Sequence, residues 1–288
     1  MKIGVFYFAT DYSIGPGELA KELEERGFDS LFLNEHTHIP VSRRTPFPRG
    51  DMLPKDYASS HDLFVGLAFA AAATTTLKLG TAVCLVPQHD PIVTAKAVAT
   101  LDVLSGGRFV FGIGGGWNAE EMENHGHKFE DRFKLLRERV LGMQELWTEE
   151  EAEFHGEFVD FDPVWMNPKP MQKPHPPILL GGESVHTLRR VVEFCDGWMP
   201  RTNKAGDDQQ TAAVAADPVE CVSRLRAVAD EKGRDMSTLS LTAFRLPPEK
   251  ALVEAYDEAG FADALLYLPS AGRDEVLSVL DSYAPLLN

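Results

Sequence analysis

The feature that most constrains this chain is its rhythm, in which short apolar runs alternate with amphipathic, helix-forming runs eight times. Strand-like runs are expected at Lys2–Phe8, Asp29–Leu33, Leu77–Val86, Arg108–Ile113, Pro177–Leu180, Gly197–Pro200, Leu239–Phe244 and Ala264–Leu268. Helical patterns follow each of them. Pro16 opens the first, with Leu19 and Leu23 on one face and Gly27 as its stop. Ser184 caps another, with Val185, Leu188, Val191 and Val192 along a stripe, and Asp217–Pro218 begins a third. Strands that are apolar throughout and alternate with helices imply a parallel sheet covered by helices. Eight units favour closure, so the expected fold is a single (β/α)8 barrel domain over residues 1–288. The junctions Arg26–Leu31 and Ala259–Leu265 share a Gly-Phe turn, as befits neighbouring parts of a closed ring.

Two segments interrupt the rhythm: Thr37–Ser60 after the second strand, and Glu150–His175 before the fifth. The latter contains His155–Phe161, which reads as a small extended element. Long insertions in a compact domain are usually functional, so the residues facing a substrate are expected in these two segments.

Composition excludes several classes. A formal charge of −16 argues against nucleic-acid and anionic-membrane partners, which need basic faces. No apolar run reaches membrane-spanning length, and Met1–Phe8 reads as a strand rather than a secretory signal. Three scattered cysteines, Cys84, Cys195 and Cys221, suit a reducing cytoplasm better than a disulfide framework. A cytoplasmic enzyme acting on a small molecule is the resulting expectation.

The sharpest chemical signal is Gly114-Gly115-Gly116-Trp117-Asn118, which follows the fourth strand and precedes a helix. Glycines let backbone N–H groups surround a phosphate, and a helix start adds a favourable dipole; a plain tight turn is the bland alternative. Gly181-Gly182-Glu183-Ser184 repeats the design after the fifth strand, so a phosphate between the two loops is expected. Arg245-Leu246-Pro247-Pro248, after the seventh strand, has no such cradle.

At the end of the second strand stand Glu35-His36-Thr37-His38. A metal pair would need further ligands at later strand ends, and His89, His125, His127, His175 and His186 do not fall there; no metal is expected. A histidine that orients or protonates a substrate fits better. Arg43, Arg44 and Arg49 cluster in the following insertion, either as solvated surface or against an anionic ligand tail.

Together these segments resemble a known family. Glu35–Pro46 (EHTHIPVSRRTP), Leu79–Pro87 (LGTAVCLVP), His89–Lys96 (HDPIVTAK), Leu104–Phe109 (LSGGRF), Gly114–Met122 (GGGWNAEEM) and Pro176–Gly182 (PPILLGG) are similar to the luciferase-like monooxygenase superfamily, in its branch of actinobacterial coenzyme F420-dependent oxidoreductases. The last third of the chain matches only in layout. The resemblance implies a deazaflavin or flavin ring stacked on the third strand at Ala82, Val83 and Cys84, with a cis peptide at Ala82–Val83. It implies cofactor contacts at Gly114, Gly115, Gly116, Trp117, Asn118, Gly181, Gly182 and Ser184. It also implies that His36, helped by Glu35, orients or protonates the substrate during hydride transfer with coenzyme F420. FMN, and with it a monooxygenase reaction, is the alternative, as is a non-catalytic cofactor-binding protein. A homodimer is expected from the resemblance and from the Ala-rich helix Leu67–Ala73, whose alanines otherwise serve close packing on the barrel.

Overall fold

Eight parallel strands close into a ring in the order β1-β10-β9-β8-β7-β4-β3-β2. The computed structural model describes residues 1–48, 50, 52–202 and 217–287. In chain order the ring strands are β1 (Lys2–Tyr7), β2 (Ser30–Leu33), β3 (Lys78–Thr81), β4 (Phe109–Ile113), β7 (Ile178–Gly181), β8 (Gly197–Met199), β9 (Ser240–Phe244) and β10 (Asp263–Leu268). Between them run α1 (Pro16–Arg26), α2 (Leu63–Ala73), α3 (Pro91–Leu104), α4 (Ala119–Asn124), α5 (Arg132–Thr148), α6 (Val185–Phe194), α7 (Pro218–Lys232), α8 (Lys250–Glu258) and α9 (Arg273–Tyr283). The eight expected strands are these eight. Gly27 and Gly260, both at positive φ, turn the chain into β2 and β10, the two strands that flank β1.

Strand periodicity divides the interior in two. Ile3, Val5 and Tyr7 of β1, Leu31 and Leu33 of β2, and Phe109, Phe111 and Ile113 of β4 join the large core between barrel and helices. Their alternates, with Phe6, Phe32, Leu179, Met199 and Leu265 among them, meet in a smaller cluster inside the ring. Space there is shared unequally. A Cβ on Gly80 would lie 2.2 Å from the Phe32 ring, so the phenyl group occupies what a larger residue in β3 would need. The barrel is filled by side chains and is closed below the site.

Caps explain the helix starts. The side chains of Asp62, Asp90, Asn118, Ser184 and Asp217 each accept a backbone N–H of the following first turn. A single 3-10 turn, Phe129–Asp131, leads into α5, which starts at Arg132.

The segment before β7 forms an antiparallel pair, β5 (Ala152–His155) and β6 (Asp160–Val164), in agreement with the expected extended element. It packs on α5: Gly142 lies against Val159, and the Glu138 carboxylate accepts from Phe158 N at 2.7 Å and Val159 N at 3.1 Å. On α2, Leu67, Ala70 and Ala71 are buried, whereas Val65 and Phe69 are exposed, as are Ile92 and Val93 of the neighbouring α3. No helix among the described residues is long and apolar enough to cross a membrane.

Candidate active site

At the C-terminal end of the strands the inner cluster opens into a cavity of about 370 Å³. Each strand of the ring from β2 round to β9 delivers something to its wall. After β2 come Glu35 and His36; after β3, Ala82 and Val83; after β4, Gly114 to Trp117; after β7, Gly181 and Gly182; after β8 and β9, Arg201 and Arg245. Phe6 of β1 and Phe8 just beyond it supply the floor.

The strand-three wall is set by an interruption. β3 was expected to run to Val86, but it ends at Thr81, and the Ala82–Val83 peptide is cis. Cys84 then rejoins the sheet, donating its N–H to Gly112 O at 2.8 Å. Val83 thereby projects between the two glycine loops. A Cβ on Gly114 would lie 2.5 Å from Val83 Cγ2, and one on Gly181 would lie 3.2 Å from Val83 Cγ1. These loops need glycine first because Val83 fills the place of their side chains.

The Gly114 and Gly181 loops are neighbours, since β4 pairs with β7 in parallel with Ile113 opposite Leu180. Among the described residues, the backbone N–H groups of Gly115, Gly116, Trp117 and Glu183 find no acceptor. That set of converging donors on a cavity wall suits an anionic group such as a phosphate. Phe133 backs Gly115, at 2.8 Å from where its Cβ would be, and the guanidiniums of Arg190 and Arg132 lie 4.0 and 4.5 Å from the Phe133 ring. Positive charge therefore stands behind the donors.

Three expected contacts are absent from the wall. Asn118 and Ser184 spend their side chains capping α4 and α6, accepting Glu121 N at 3.2 Å and Thr187 N at 3.1 Å. Cys84 is fully buried and belongs to the outer core, because strand alternation turns it away from the cavity that Val83 faces. Its thiol is pushed well up by burial.

His36 sits on the wall with its Nδ1 3.0 Å from both carboxylate oxygens of Glu121, a wholly buried residue of α4. Among the described residues Nε2 has no partner. A carboxylate on Nδ1 fixes the ring and its tautomer. Its neighbours are aromatic: Tyr57 at 5.1 Å and Trp117 at 6.0 Å between ring centres, with Phe47 against both. His38 diverges from it, bonding Thr37 and Asn124 at the end of α4, so the two histidines do not converge.

Glu35 does different work from the expected help to His36. Its Oε2 accepts Leu85 N at 2.5 Å and its Oε1 lies 2.7 Å from His89 Nε2, so both oxygens are taken up in bracing the turn after β3. Burial pushes the His89 pKa down, but the hydrogen bond and charge of Glu35 outweigh it and leave it raised. Glu35, Cys84 and His89 bring ligand-type atoms within 4.8 Å of one another. With the carboxylate already paired and the thiol held protonated, the three read as a brace.

The segment after β2 is pinned over the site by α4. Glu120 accepts from Ser42 Oγ at 2.5 Å, Arg44 N at 2.6 Å and Thr45 N at 2.7 Å. Burial acts to raise its pKa, yet these bonds hold it at about 2. Arg44 pairs with Glu123, Arg43 lies over the Trp117 ring at 5.7 Å, and Arg49 falls outside the described residues. Of the two insertions expected to face the substrate, the first gives the wall Tyr57, whereas residues 150–175 give it nothing among the described residues.

Sequence reasoning missed Glu121, Tyr57, Phe6, Phe8, Phe133, Arg201 and Arg245. The alternating Phe6 and Phe8 were a usable signal, and Glu121 lay in the quoted GGGWNAEEM motif; no local pattern marks the others.

Comparison with known proteins agrees with this architecture. An uncharacterized protein of Mycobacterium tuberculosis, Rv0953c, is 36% identical over 291 residues, covering 100% of this chain and 99% of its own. An F420-dependent secondary alcohol dehydrogenase, solved with an F420-acetone adduct, superposes with a TM-score of 0.73 at 18% identity over 100% of this chain and 99% of the other. The oxygenating constituent of 3,6-diketocamphane monooxygenase of Pseudomonas putida, solved with FMN, gives 0.62 at 16% identity over 88% and 70%. Both structural likenesses show the fold. The family model for luciferase-like monooxygenases matches residues 16–248, from α1 to beyond β9, and the chain belongs to that family of oxidoreductases.

Proposed function

We propose that this enzyme binds coenzyme F420 in the cavity and transfers a hydride between it and a small organic substrate, with His36 handling the accompanying proton. The observation that carries the reading is His36: a buried histidine on the cavity wall, locked through Nδ1 to Glu121, with Nε2 left for the substrate. The residues fit a ring cofactor with a phosphate. Val83 and the apolar floor suit one ring face, and the unpaired N–H groups of Gly115–Trp117 and of Glu183 suit the phosphate.

A bound reduced deazaflavin supplies a hydride, two electrons with the hydrogen, to an activated C=O, C=C or C=N carbon. The protein's part is positioning and proton transfer. Nε2 of His36 gives the balancing proton to the heteroatom or second carbon, Glu121 stabilises the ring while it is charged, and solvent restores the proton. Phe47, Tyr57 and Trp117 shield the reacting atoms from water. The motifs at Glu35–Pro46 and Gly114–Met122 favour the F420 branch; the phosphate loops would serve FMN equally. Titrating purified protein with F420 and with FMN, followed by fluorescence quenching, tests the choice, and tighter FMN binding would overturn it. We further infer a homodimer through the exposed apolar face of α2 and α3, around Val65, Phe69 and Val93.

A further inference from the structure

The wall from β8 to β9 differs in kind from the rest. Arg201 and Arg245 line the cavity there, in a chain whose formal charge is −16. The sheet sets them side by side, since Arg201 bridges to Phe244 in parallel pairing and Thr202 N donates to Phe244 O at 3.0 Å. In the eight-membered ring, β8 stands four strands from β2, which carries His36, and β9 four strands from β3, which carries Val83. A molecule lying over a ring cofactor in this cavity would therefore have the arginines at one end and His36 at the other.

Arg245 holds a position few non-glycine residues adopt, at φ 61°, with its guanidinium 4.5 Å above the Tyr267 ring. Among the described residues it makes no ion pair with a carboxylate within 4 Å, and its buried Nε has no acceptor. Asp56 feels its charge from beyond ion-pair distance, and burial raises that carboxyl against the pull of Arg245. A half-buried guanidinium on a cavity wall with no carboxylate within 4 Å is suited to an oxyanion.

We infer that Arg245, with Arg201 beside it, binds the substrate through a carboxylate or phosphate ester, so that the substrate is a small organic anion whose reducible bond lies toward His36. The inference rests on the proposed hydride-transfer reading for the word substrate, but the anion site itself does not.

The test is protection from thermal unfolding by malonate, by inorganic phosphate and by neutral malonamide, measured on wild type, Arg245→Met and Arg245→Lys, with and without saturating cofactor. Wild type should be protected saturably by malonate, phosphate or both, and whichever acts names the oxyanion. Arg245→Met should weaken that anion by about tenfold or more, as expected for losing a charge-assisted hydrogen bond, and Arg245→Lys should recover part of it. Cofactor affinity should be the same in all three proteins. Equal protection of wild type and Arg245→Met, protection by malonamide equal to that by malonate, or no protection by either anion overturns the inference. Absence of F420 and FMN binding alongside Arg245-dependent anion binding would instead remove the reading of the reaction and leave the site.

Discussion

The two oxygens of the buried Glu121 carboxylate stand equidistant, at 3.0 Å, from Nδ1 of His36, across 85 residues of sequence. The contact joins the end of β2 to α4 and leaves one imidazole nitrogen to the cavity. Glu121→Gln keeps the size of the side chain and removes its charge. It should lower kcat by about 10²-fold, in the range of general acid–base contributions, with KM little changed. An unchanged kcat would make Glu121 a packing residue only.

Replacing His36 by Ala should leave the fold intact by circular dichroism and cut turnover by a similar factor or more. Unchanged turnover would take His36 out of the mechanism.

Glu35 braces the turn that presents Val83. Glu35→Gln should cost about 1.5–3 kcal/mol, the range for hydrogen bonds to charged groups, and weaken cofactor binding. The sign with pH follows from His89. Its folded pKa is raised, so its contribution is fully present below the unfolded value near 6.5 and fades as pH rises through the folded value. Chemical denaturation of the wild type across pH 6 to pH 9 (roughly the span around a raised histidine) should show this loss, and the variant should show less of it.

Glu120 gives the opposite sign. Held at about 2 by Ser42, Thr45 and Arg44, it contributes fully above its unfolded value and loses that contribution as pH falls. The window lies between about 4.3 and the folded value. Glu120→Ala should free the segment over the site, seen as faster hydrogen exchange in residues 42–45, and flatten the acid limb of stability in that window.

Gly115→Leu should collide with Phe133, whose ring lies 2.8 Å from the added Cβ, and shift the loop whose N–H groups face the cavity. Cofactor affinity should fall by about tenfold or more, the loss expected from disordering one or two charge-assisted hydrogen bonds. Normal affinity would mean that the loop is only a turn.

How much was legible follows from where the information lies. The eight strands were readable because an all-apolar parallel strand and its capped helix leave a local signature, as Ser184 and Asp217 do. The end of β3 was misjudged: after Lys78, Leu79–Val86 is almost continuously apolar, and nothing in its periodicity shows that the chain turns at Ala82. The glycine loops were visible as glycines, yet their packing against Val83 and Phe133 was not, since those contacts join different strands. Asn118, Ser184 and Cys84 were expected at the cofactor from the family resemblance, and capping and strand alternation send their side chains elsewhere. Arg245 could not be weighed from sequence at all, because an arginine's meaning depends on whether an acid stands beside it.

The central claim is the placement of the cofactor, and a crystal structure of the protein with coenzyme F420 tests it most directly. The account predicts the phosphate within hydrogen-bond distance of the N–H groups of Gly115–Trp117 and Glu183, the ring against Val83, and Nε2 of His36 over the cavity. A phosphate seated instead on Arg201 and Arg245, or a ring turned away from His36, would contradict it.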